Sequence, residues 1–416
     1  MITKLSQSRS YLYLGLGLAL ALSISFSLIL GAILLVLWGI LALHQKEKIS
    51  WNSSSVALPL LLFFLWGILV SVMMGSTSLR KAASVQSAFL LFFLFAYGSR
   101  WDDIKSLIWG FGIGAVIAGL WGFFQQISQI NFIPLVPFEC PSYASGWPSW
   151  LISSLALRNG RAVGSRSHPL TYAETLLPAF FLVAILMFIL FKRRDYSIWS
   201  HLLLWVSLIS ITIGIILAQG RAVWLGVLVG SIPFGLVFSR RGRLFFYGGI
   251  ILFIFFILFS FPNLKGRALT IFAPCQGSQS DQISRSMRFY LWEDAFRKIK
   301  ETPVMGVGLR GVALKIQSQE IKDDRTWSET HNIFLQVLLE RGIIGLGLYL
   351  WLLICAFRIL WQLPQPWRQA TLSIFIAFII IGLTESWVND KEISLLFWSF
   401  LGCCEFLRFQ YLGAKK

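Results

Sequence analysis

Twelve apolar stretches constrain this chain more than any other feature, because each is about as long as a helix needs to cross a bilayer. Hydrophobic residues make up 56% of the 416 residues and charged residues only 13%, whereas soluble domains carry about 25% charged residues. The candidate spans are 11–26, 28–43, 56–74, 83–98, 106–127, 171–191, 201–218, 222–238, 244–262, 343–360, 370–387 and 393–409. The pattern predicts an all-α polytopic membrane protein with about twelve transmembrane helices.

The first two spans share one long apolar run, residues 11–43, which is predicted to turn near Gly31. A single tilted helix is the alternative, and it would reverse the orientation of everything that follows. The run is too long for a cleavable signal peptide and lacks a small-residue cleavage site, so it is interpreted as a membrane anchor.

Lysine and arginine in the short loops predict the orientation, since cytoplasmic loops are enriched in these residues. Clusters at 192–194 and 240–243 fix the middle of the chain, and both termini are expected in the cytoplasm. The predicted organisation is helices 1–5 in 1–127, an outer loop in 128–169, helices 6–9 in 170–262, a large outer (periplasmic) loop with an amphipathic helix in 263–331, and helices 10–12 in 332–416.

Charge and cysteine usage exclude some functions and leave others open. The formal charge of +17 follows mostly from the orientation rule, and no nucleic-acid-binding module occurs. The mid-span positions are free of charge, which disfavours an ion-coupled carrier or channel. Cys140 and Cys275 in the outer loops could pair in an oxidising compartment or remain thiols. Cys355, Cys403 and Cys404 are expected to be apolar fillers.

The segment 329–336 places a histidine where water, charge and a membrane-entering helix meet. Ser328 or Thr330 is expected to cap that helix, which leaves His331 in its first turn. The positive end of the helix dipole disfavours a charged imidazole there, so His331 is a candidate proton acceptor. Asn332, Gln336 and Glu340 follow at four-residue intervals as a polar stripe. The alternative is an ordinary interfacial histidine with a solvated polar face.

Residues 284–300 are predicted to form an amphipathic outer helix. Its apolar face comprises Arg288, Trp292, Phe296 and Ile299. Glu293 with Arg297 and Asp294 with Lys298 have the i,i+4 spacing of ion pairs on the other face. Arg288 therefore lies at the top of the apolar face and points towards whatever that face covers.

Further cations collect at the predicted outer boundary. Arg221 lies in a turn too short to extend into solvent, so it needs an anionic partner or an aqueous cleft unless it snorkels. Arg80 departs from the orientation rule and is either a snorkelling residue or part of an outer anion site. Arg161 and Arg166 precede the sixth span beside His168, which is interpreted as structural.

Several guanidinium groups beside one candidate base favour a phosphate-bearing leaving group, because arginine pairs with phosphate oxygens through two parallel hydrogen bonds. A membrane-facing cleft would supply a lipid-linked substrate. The sequence contains no His-Glu-x-x-His motif and no Cys/His cluster, which disfavours a metal-dependent mechanism. It also contains no Gly-x-Ser-x-Gly nucleophile elbow, which disfavours a serine nucleophile. Glu385, in the last outer turn, is assigned only to the membrane interface.

Motifs in the second half of the chain resemble the O-antigen ligase and O-antigen polymerase family of bacterial envelope enzymes. Residues 219–226 are similar to the family's Ser-Arg-x-x-Trp-Leu-Gly turn, with Gly220 in place of the usual hydroxyl residue. Residues 288–292 and 302–308 are similar to its Arg-x-x-x-Trp and Pro-x-x-Gly-x-Gly elements, and residues 331–336 match its His-Asn-x-x-x-Gln signature.

The resemblance covers roughly residues 155–360, and one part of it is imperfect. Residues 161–178 resemble the family's Gly-Thr-Phe-x-x-Pro-Asn segment but depart from it in detail. The four pieces, each of low specificity alone, occur in the family's order and on one predicted side of the membrane.

The resemblance implies a glycosyltransferase at the periplasmic face of the bacterial inner (plasma) membrane. It would transfer a glycan from undecaprenyl diphosphate to a hydroxyl of an acceptor lipid or glycan, with the lipid A core as one candidate, and with no metal or other cofactor. By position, His331 would be the base, while Arg221 and Arg288 would hold the diphosphate. The further substrate-binding candidates are Arg161, Arg166, Asn332, Gln336 and Arg80.

Two alternatives to the ligase stay open. A polymerase of the same family would use another lipid-linked glycan as the acceptor. A transporter of inorganic carbon or another small solute belongs to a different class, and the absence of mid-span charge counts against it. The sequence does not specify the sugar, the acceptor or the oligomeric state.

Overall fold

The computed structural model describes residues 2–45, 54–129, 161–164, 166, 168–192, 198–260, 279–311, 314, 327–388 and 390–413. The helices in these ranges are α1 (Ile2–Leu22), α2 (Ile24–Gln45), α3 (Ala57–Met73), α4 (Leu79–Gln86), α5 (Leu90–Gly98), α6 (Trp101–Gln129), α7 (Pro169–Lys192), α8 (Ile198–Leu217), α9 (Arg221–Gly235), α10 (Arg240–Ser260), α11 (Gln279–Glu301), α12 (Ile333–Trp361), α13 (Trp367–Gly382) and α14 (Lys391–Gly413). The all-α prediction is confirmed for the described residues.

In the described part of the chain, each stretch that the sequence marks as an apolar span is mostly helical. Five of the described helices are long and apolar enough to cross a membrane by length and composition, at Ile24–Leu43, Trp101–Ile127, Pro169–Lys192, Ile198–Leu217 and Ile333–Trp361. Other apolar helices, such as Ala57–Met73 and Trp367–Gly382, are shorter. The chain is therefore a helical membrane protein, and the total of twelve crossings stays a prediction.

The first apolar run contains two helices, but the predicted turn at Gly31 is wrong. The helical geometry is interrupted at Ser23, and Gly31 lies inside α2. Hydrogen bonds from Ser23 N to Ala19 O (2.7 Å) and from Ser27 N to Ser23 O (3.1 Å) continue across the interruption. The break is therefore local, and the side chain of Ser27 also bonds across it, from Oγ to Ser23 O at 2.7 Å.

The described chain divides into two compact units. The first comprises Met1–Lys46, Gly98–Val237 and Gln365–Ile374, and α1 and α6 approach each other closely within it. A Cβ on Gly17 would lie 2.1 Å from Leu107 O, and one on Gly110 would lie 2.0 Å from Leu14 O. Glycines thus allow direct backbone contact, as is common between membrane helices.

The second unit comprises Glu47–Tyr97, Phe238–Pro364 and Phe375–Lys416. Helix α12 packs on α3 and on α14 there. An aromatic cluster lines this packing, with the rings of Phe397 and Trp398 5.0 Å apart and those of Phe64 and Trp398 5.5 Å apart. The second unit holds Arg288 and His331, and its closely packed core supports the segments that carry them.

Buried charge within α14 corrects the expectation that mid-span positions are uncharged. Glu405 is fully buried, and its two carboxylate oxygens accept hydrogen bonds from Arg408 Nε (2.7 Å) and Nη2 (3.0 Å). Arg408 also donates to Gln362 Oε1 at 3.2 Å. The charges neutralise each other, so the pair is expected to be structural, although it weakens the argument from absent charge against transport.

The three described cysteines, Cys355, Cys403 and Cys404, are free thiols in α12 and α14. Their packing fits the expected role of apolar fillers. Cys140 and Cys275 lie outside the described residues, so their pairing stays a prediction.

Candidate functional site

Helix α12 begins two residues later than a cap at Thr330 predicts, and this moves His331 out of the helix. Asn332 is the N-cap, with extended backbone and a side chain that accepts from Leu335 N at 3.0 Å. Its Nδ2 donates to Leu383 O at 3.1 Å. The predicted caps, Ser328 and Thr330, are therefore wrong, and His331 precedes the cap instead of lying in the first turn.

His331 has a left-handed backbone conformation, with φ +52°. Such values are uncommon for residues other than glycine, and they are concentrated at functional sites because the surroundings must hold them in place. Thr330, immediately before it, is held from both sides. Its carbonyl accepts from Trp292 Nε1 (2.8 Å), and its amide donates to Gln336 Oε1 (2.8 Å).

One carboxylate joins His331 to Arg288. Arg288 Nη2 donates to Glu385 Oε1 at 3.0 Å, and His331 Nδ1 lies 3.1 Å from Glu385 Oε2. The three side chains are 29%, 27% and 16% exposed for Arg288, His331 and Glu385, respectively. The cluster is thus partly shielded but still reachable from outside the protein.

The helix that carries Arg288 is present as predicted, but its buried face differs. Leu291 and Ala295 of α11 are buried against Leu335 and Leu339 of α12, whereas Phe296 is 52% exposed. The predicted apolar face is therefore rotated from the observed one. Trp292 lies at its edge, and its indole bond to Thr330 orients the histidine segment.

The charge pairing on α11 also differs in part from the prediction. Lys298 pairs with Asp294 at 3.6 Å as expected. Arg297, expected to pair with Glu293, contacts the buried Asp294 directly, while Glu293 adds a weaker electrostatic attraction. A buried carboxylate attracts cations more strongly than an exposed one, which explains the choice.

Gln336 and Glu340 do not form a solvated stripe. Gln336 is 2% exposed and Glu340 is fully buried. Gln336 Nε2 donates to Ser328 O at 3.2 Å and to Glu340 Oε1 at 3.0 Å, in addition to the bond from Thr330 N. The amide of Gln336 therefore fixes the backbone on both sides of Glu329, two residues before His331.

A kink divides α12 just beyond this network. Gly342 has φ +64° and ψ −169°, and Ile343 N donates to Pro303 O at 2.9 Å instead of to α12. The freed carbonyls of Leu339 and Glu340 accept from Val307 N (2.9 Å) and Gly308 N (3.0 Å). The turn after α11 therefore supplies the hydrogen bonds that the kink removes.

Arg341, at the kink, is fully buried. Its guanidinium lies 4.5 Å from the ring centroid of Phe63, 3.5 Å from Glu340 Oε2 and 3.2 Å from Gln86 Oε1. Its carbonyl accepts from Trp66 Nε1 at 2.9 Å. These contacts fix the helix on which the histidine segment rests.

Glu329, next to the histidine segment, has an unusual electrostatic environment. Burial raises the pKa of its carboxyl, and the nearby acids Asp390, Glu385 and Glu340 raise it further, whereas His331 lowers it. Removing water disfavours the charged form of an acid, which explains the direction.

Arg80, the other candidate in this unit, lies at the start of α4. Ser78 caps this helix by accepting from Lys81 N at 3.4 Å. Arg80 is exposed.

Arg221 belongs to the first unit and is the first residue of α9. The turn from α8 contains only residues 218–220, as the short loop in the sequence predicted. Gln219 has φ +51°, and Trp224 Nε1 donates to Ile215 O at 3.1 Å across the turn. Arg221 is thus held, half-buried, at a helix N-terminus, where the dipole attracts anions.

The remaining cationic candidates lie in the short segment before α7. Arg166 is buried and donates to Leu20 O near the end of α1, where carbonyls need partners. Arg161 is half-buried, and the amide of the next residue donates to Leu217 O at 3.1 Å. His168 Nδ1 accepts from Leu170 N at 3.2 Å and so caps α7, as its interpretation as structural requires.

Glu385 is the residue that the sequence did not identify. It was assigned to the interface because a single acid at the end of an apolar stretch has no spacing that links it to a histidine 54 positions earlier. The available signal was the isolated acid itself, since charges at span boundaries are costly unless they have partners.

The apolar helices and the linked side chains define a class: a helical membrane protein in which one carboxylate joins a histidine to an arginine. Among the described residues, no group of three or more His, Cys, Asp or Glu side chains is arranged to hold a metal. Residues 205–350 match the family model described as O-antigen ligase. Over these residues the resemblance is confirmed, and they include Arg221, Arg288 and His331.

Relatives from Rickettsia carry a related description. A Rickettsia felis protein named "Putative polysaccharide ligase" is 29% identical over 208 residues, which are 43% of this chain and 49% of that protein. A similarly named Rickettsia typhi protein is 29% identical over 168 residues, 35% of this chain and 40% of its own length. The chain thus spans about half or less of the length of the curated relatives it matches.

Proposed function

We propose that this protein is a membrane glycosyltransferase of the ligase type, which transfers a glycan from undecaprenyl diphosphate to an acceptor hydroxyl. The observation that carries the proposal is that His331 and Arg288 contact the two oxygens of one carboxylate, Glu385, within the region matched by the O-antigen ligase family. A proton acceptor and a guanidinium group side by side are what transfer from a diphosphate requires.

In the proposed reaction, the acceptor hydroxyl gives its proton to Nε2 of His331 while its oxygen attacks the anomeric carbon of the glycan. The bond between that carbon and the phosphate oxygen breaks, and its electron pair leaves with undecaprenyl diphosphate. Arg288 stabilises the charge that develops on the leaving group, because guanidinium N–H groups match phosphate oxygens. No metal is required for these steps.

Arg221 is proposed as a second diphosphate ligand. Its place at the first residue of α9 supports this role, because a helix N-terminus and a guanidinium group both attract anions. Arg161 and Arg80 are proposed as weaker contacts to the substrate. For Arg166, whose guanidinium contacts a helix end, the contacts favour a positioning role.

Asn332 and Gln336 are proposed to act on the substrate through His331. Both amides are committed to the backbone around the histidine. The active site is proposed to face the periplasm from the inner membrane, with an acceptor that is a lipid or glycan.

Deletion of the gene, followed by profiling of envelope glycans and lipid-linked intermediates, tests the proposal. Loss of capped acceptors with accumulation of intact long lipid-linked chains is expected for a ligase. Lipid-linked single repeat units alone would indicate a polymerase. Two results together would contradict the transferase and favour a carrier: unchanged glycans in the deletion strain, and uptake of a small solute into proteoliposomes that contain the purified protein.

A further inference from the structure

Glu385 divides its carboxylate between two groups that have different tasks in the proposed reaction. Oε1 accepts from Arg288 at 3.0 Å, and Oε2 lies 3.1 Å from His331 Nδ1. Arg288 and His331 therefore contact different oxygens of the Glu385 carboxylate. Any change at Glu385 therefore acts on the anion-binding arginine and on the base together.

We propose that Glu385 is a positioning residue with two roles. Before the donor binds, its carboxylate pairs with Arg288 where a phosphate group of the donor would bind, and it also fixes the tautomer of His331. This inference rests on the proposed function. One carboxylate would therefore weaken donor binding, by competing for Arg288, and support the base, by orienting His331.

The contact with Arg288 supports the first half of the inference. A carboxylate and a phosphate offer arginine the same pair of acceptor oxygens. In the described part of the chain, Arg288 uses Nη2 alone to reach Glu385, so other N–H groups of the guanidinium can receive a second anion. An arriving diphosphate must share Arg288 with Glu385 or displace it, and this competition weakens donor binding.

The contact with His331 supports the second half. A neutral imidazole carries one N–H, and an acceptor beside Nδ1 keeps the proton there. Nε2 is then left with a lone pair to take the hydroxyl proton. The backbone cannot supply this control alone, because Thr330 and Asn332 fix the position of His331 but not its tautomer.

Glutamine at this position separates the two roles. In Glu385→Gln, one oxygen remains, and Arg288, which has no acceptor, must face it. The amide NH2 then faces Nδ1 and donates to it, so the proton moves to Nε2 and the base is blocked. The negative charge that competes for Arg288 is also lost.

The two measured quantities should therefore move in opposite directions. Affinity for undecaprenyl diphosphate is expected to rise about two- to fivefold, the worth of a partly exposed ion pair. Turnover at saturating donor is expected to fall at least about 100-fold, because the same acid-to-amide change beside the histidine base of a Ser-His-Asp triad lowers kcat about 10⁴-fold. A residue with a merely structural role would weaken both.

The test uses the full-length protein in lipid nanodiscs. Binding is measured with undecaprenyl diphosphate, and turnover with lipid-linked donor and acceptor isolated from the deletion strain. Asp390→Asn is the matched control, because it removes a nearby negative charge while an amide oxygen can still accept from Glu392 N, as Asp390 Oδ1 does at 2.8 Å. In this control, both quantities are expected to stay within about twofold of wild type.

Tighter binding with slower turnover in Glu385→Gln, beyond any change in Asp390→Asn, supports the inference. Weaker binding, or turnover equal to wild type, overturns it. If Glu385→Gln does not fold, Glu385→Ala replaces it, since it also removes the charge that competes for Arg288 and the acceptor beside Nδ1, and should give changes of the same sign. If wild type transfers nothing, or His331→Ala is fully active, the proposed function itself fails.

Discussion

Replacing Gly342 by alanine tests whether the kink in α12 supports the histidine segment. The backbone at Gly342 has φ +64° and ψ −169°, a conformation that costs other residues about 1–3 kcal/mol. A Cβ there would also lie 2.1 Å from Val304 O and 2.6 Å from Met305 N. The turn at 303–308 would have to move away from α12.

That movement breaks the three hydrogen bonds that join the turn to α12, from Val307, Gly308 and Ile343. Each contributes about 0.5–1.5 kcal/mol, so the expected loss in the free energy of unfolding is about 3–7 kcal/mol. Because whole domains are stable by only about 5–15 kcal/mol, the variant should be severely destabilised.

The assay is unfolding of the purified protein in detergent, followed by tryptophan fluorescence. Gly347→Ala is the matched control on the same helix, because nothing lies within 4 Å of its new Cβ. Alanine should be neutral there or stabilise by up to about 1 kcal/mol. If Gly342→Ala unfolds like Gly347→Ala, the kink does not depend on glycine and the reasoning is refuted.

Other predictions concern the histidine segment and the diphosphate ligands. Gln336→Ala should reduce stability by about 1–3 kcal/mol and slow transfer, since the buried amide of Thr330 loses its acceptor; unchanged melting would count against the network. Arg221→Lys should weaken donor binding at least about tenfold, because an ammonium cannot form the bidentate fork, whereas the exposed Arg241→Lys should not. Wild-type affinity in Arg221→Lys would exclude it as a diphosphate ligand. Since burial raises the pKa of Glu329, the folded state keeps a proton that the unfolded state releases, and stability should fall as pH rises from the ordinary carboxyl value to the raised one. Glu329→Gln should remove that fall in a melting series across pH, and a fall that persists would contradict it.

The fold could be predicted from the sequence because apolar length is a direct physical requirement of a membrane helix. The approximate positions of the apolar helices followed from it, including the short turn before Arg221. Local irregularities did not follow. Ser23 rather than Gly31 interrupts the first run, since helices in an apolar setting keep their hydrogen bonds through glycine.

The site was predictable only where its residues are close in sequence. Spacing identified His331 with Asn332 and Gln336, and helical periodicity identified Arg288. The sequence leaves a solvated stripe open as the alternative, because it does not show that Ser328, Thr330 and Glu340 satisfy the Gln336 amide. Glu385 could not be found, because its partners come from two distant segments that only the fold brings together.

The most direct test of the account measures glycan transfer by the purified protein, with lipid-linked donor and acceptor from the deletion strain. The control variant is His201→Ala, which replaces a histidine in α8. Wild type and this control are expected to transfer glycan at similar rates. His331→Ala should remain folded and inserted but transfer none, because no base takes the acceptor proton. Transfer by His331→Ala at the wild-type rate would contradict the central claim that His331 is the base.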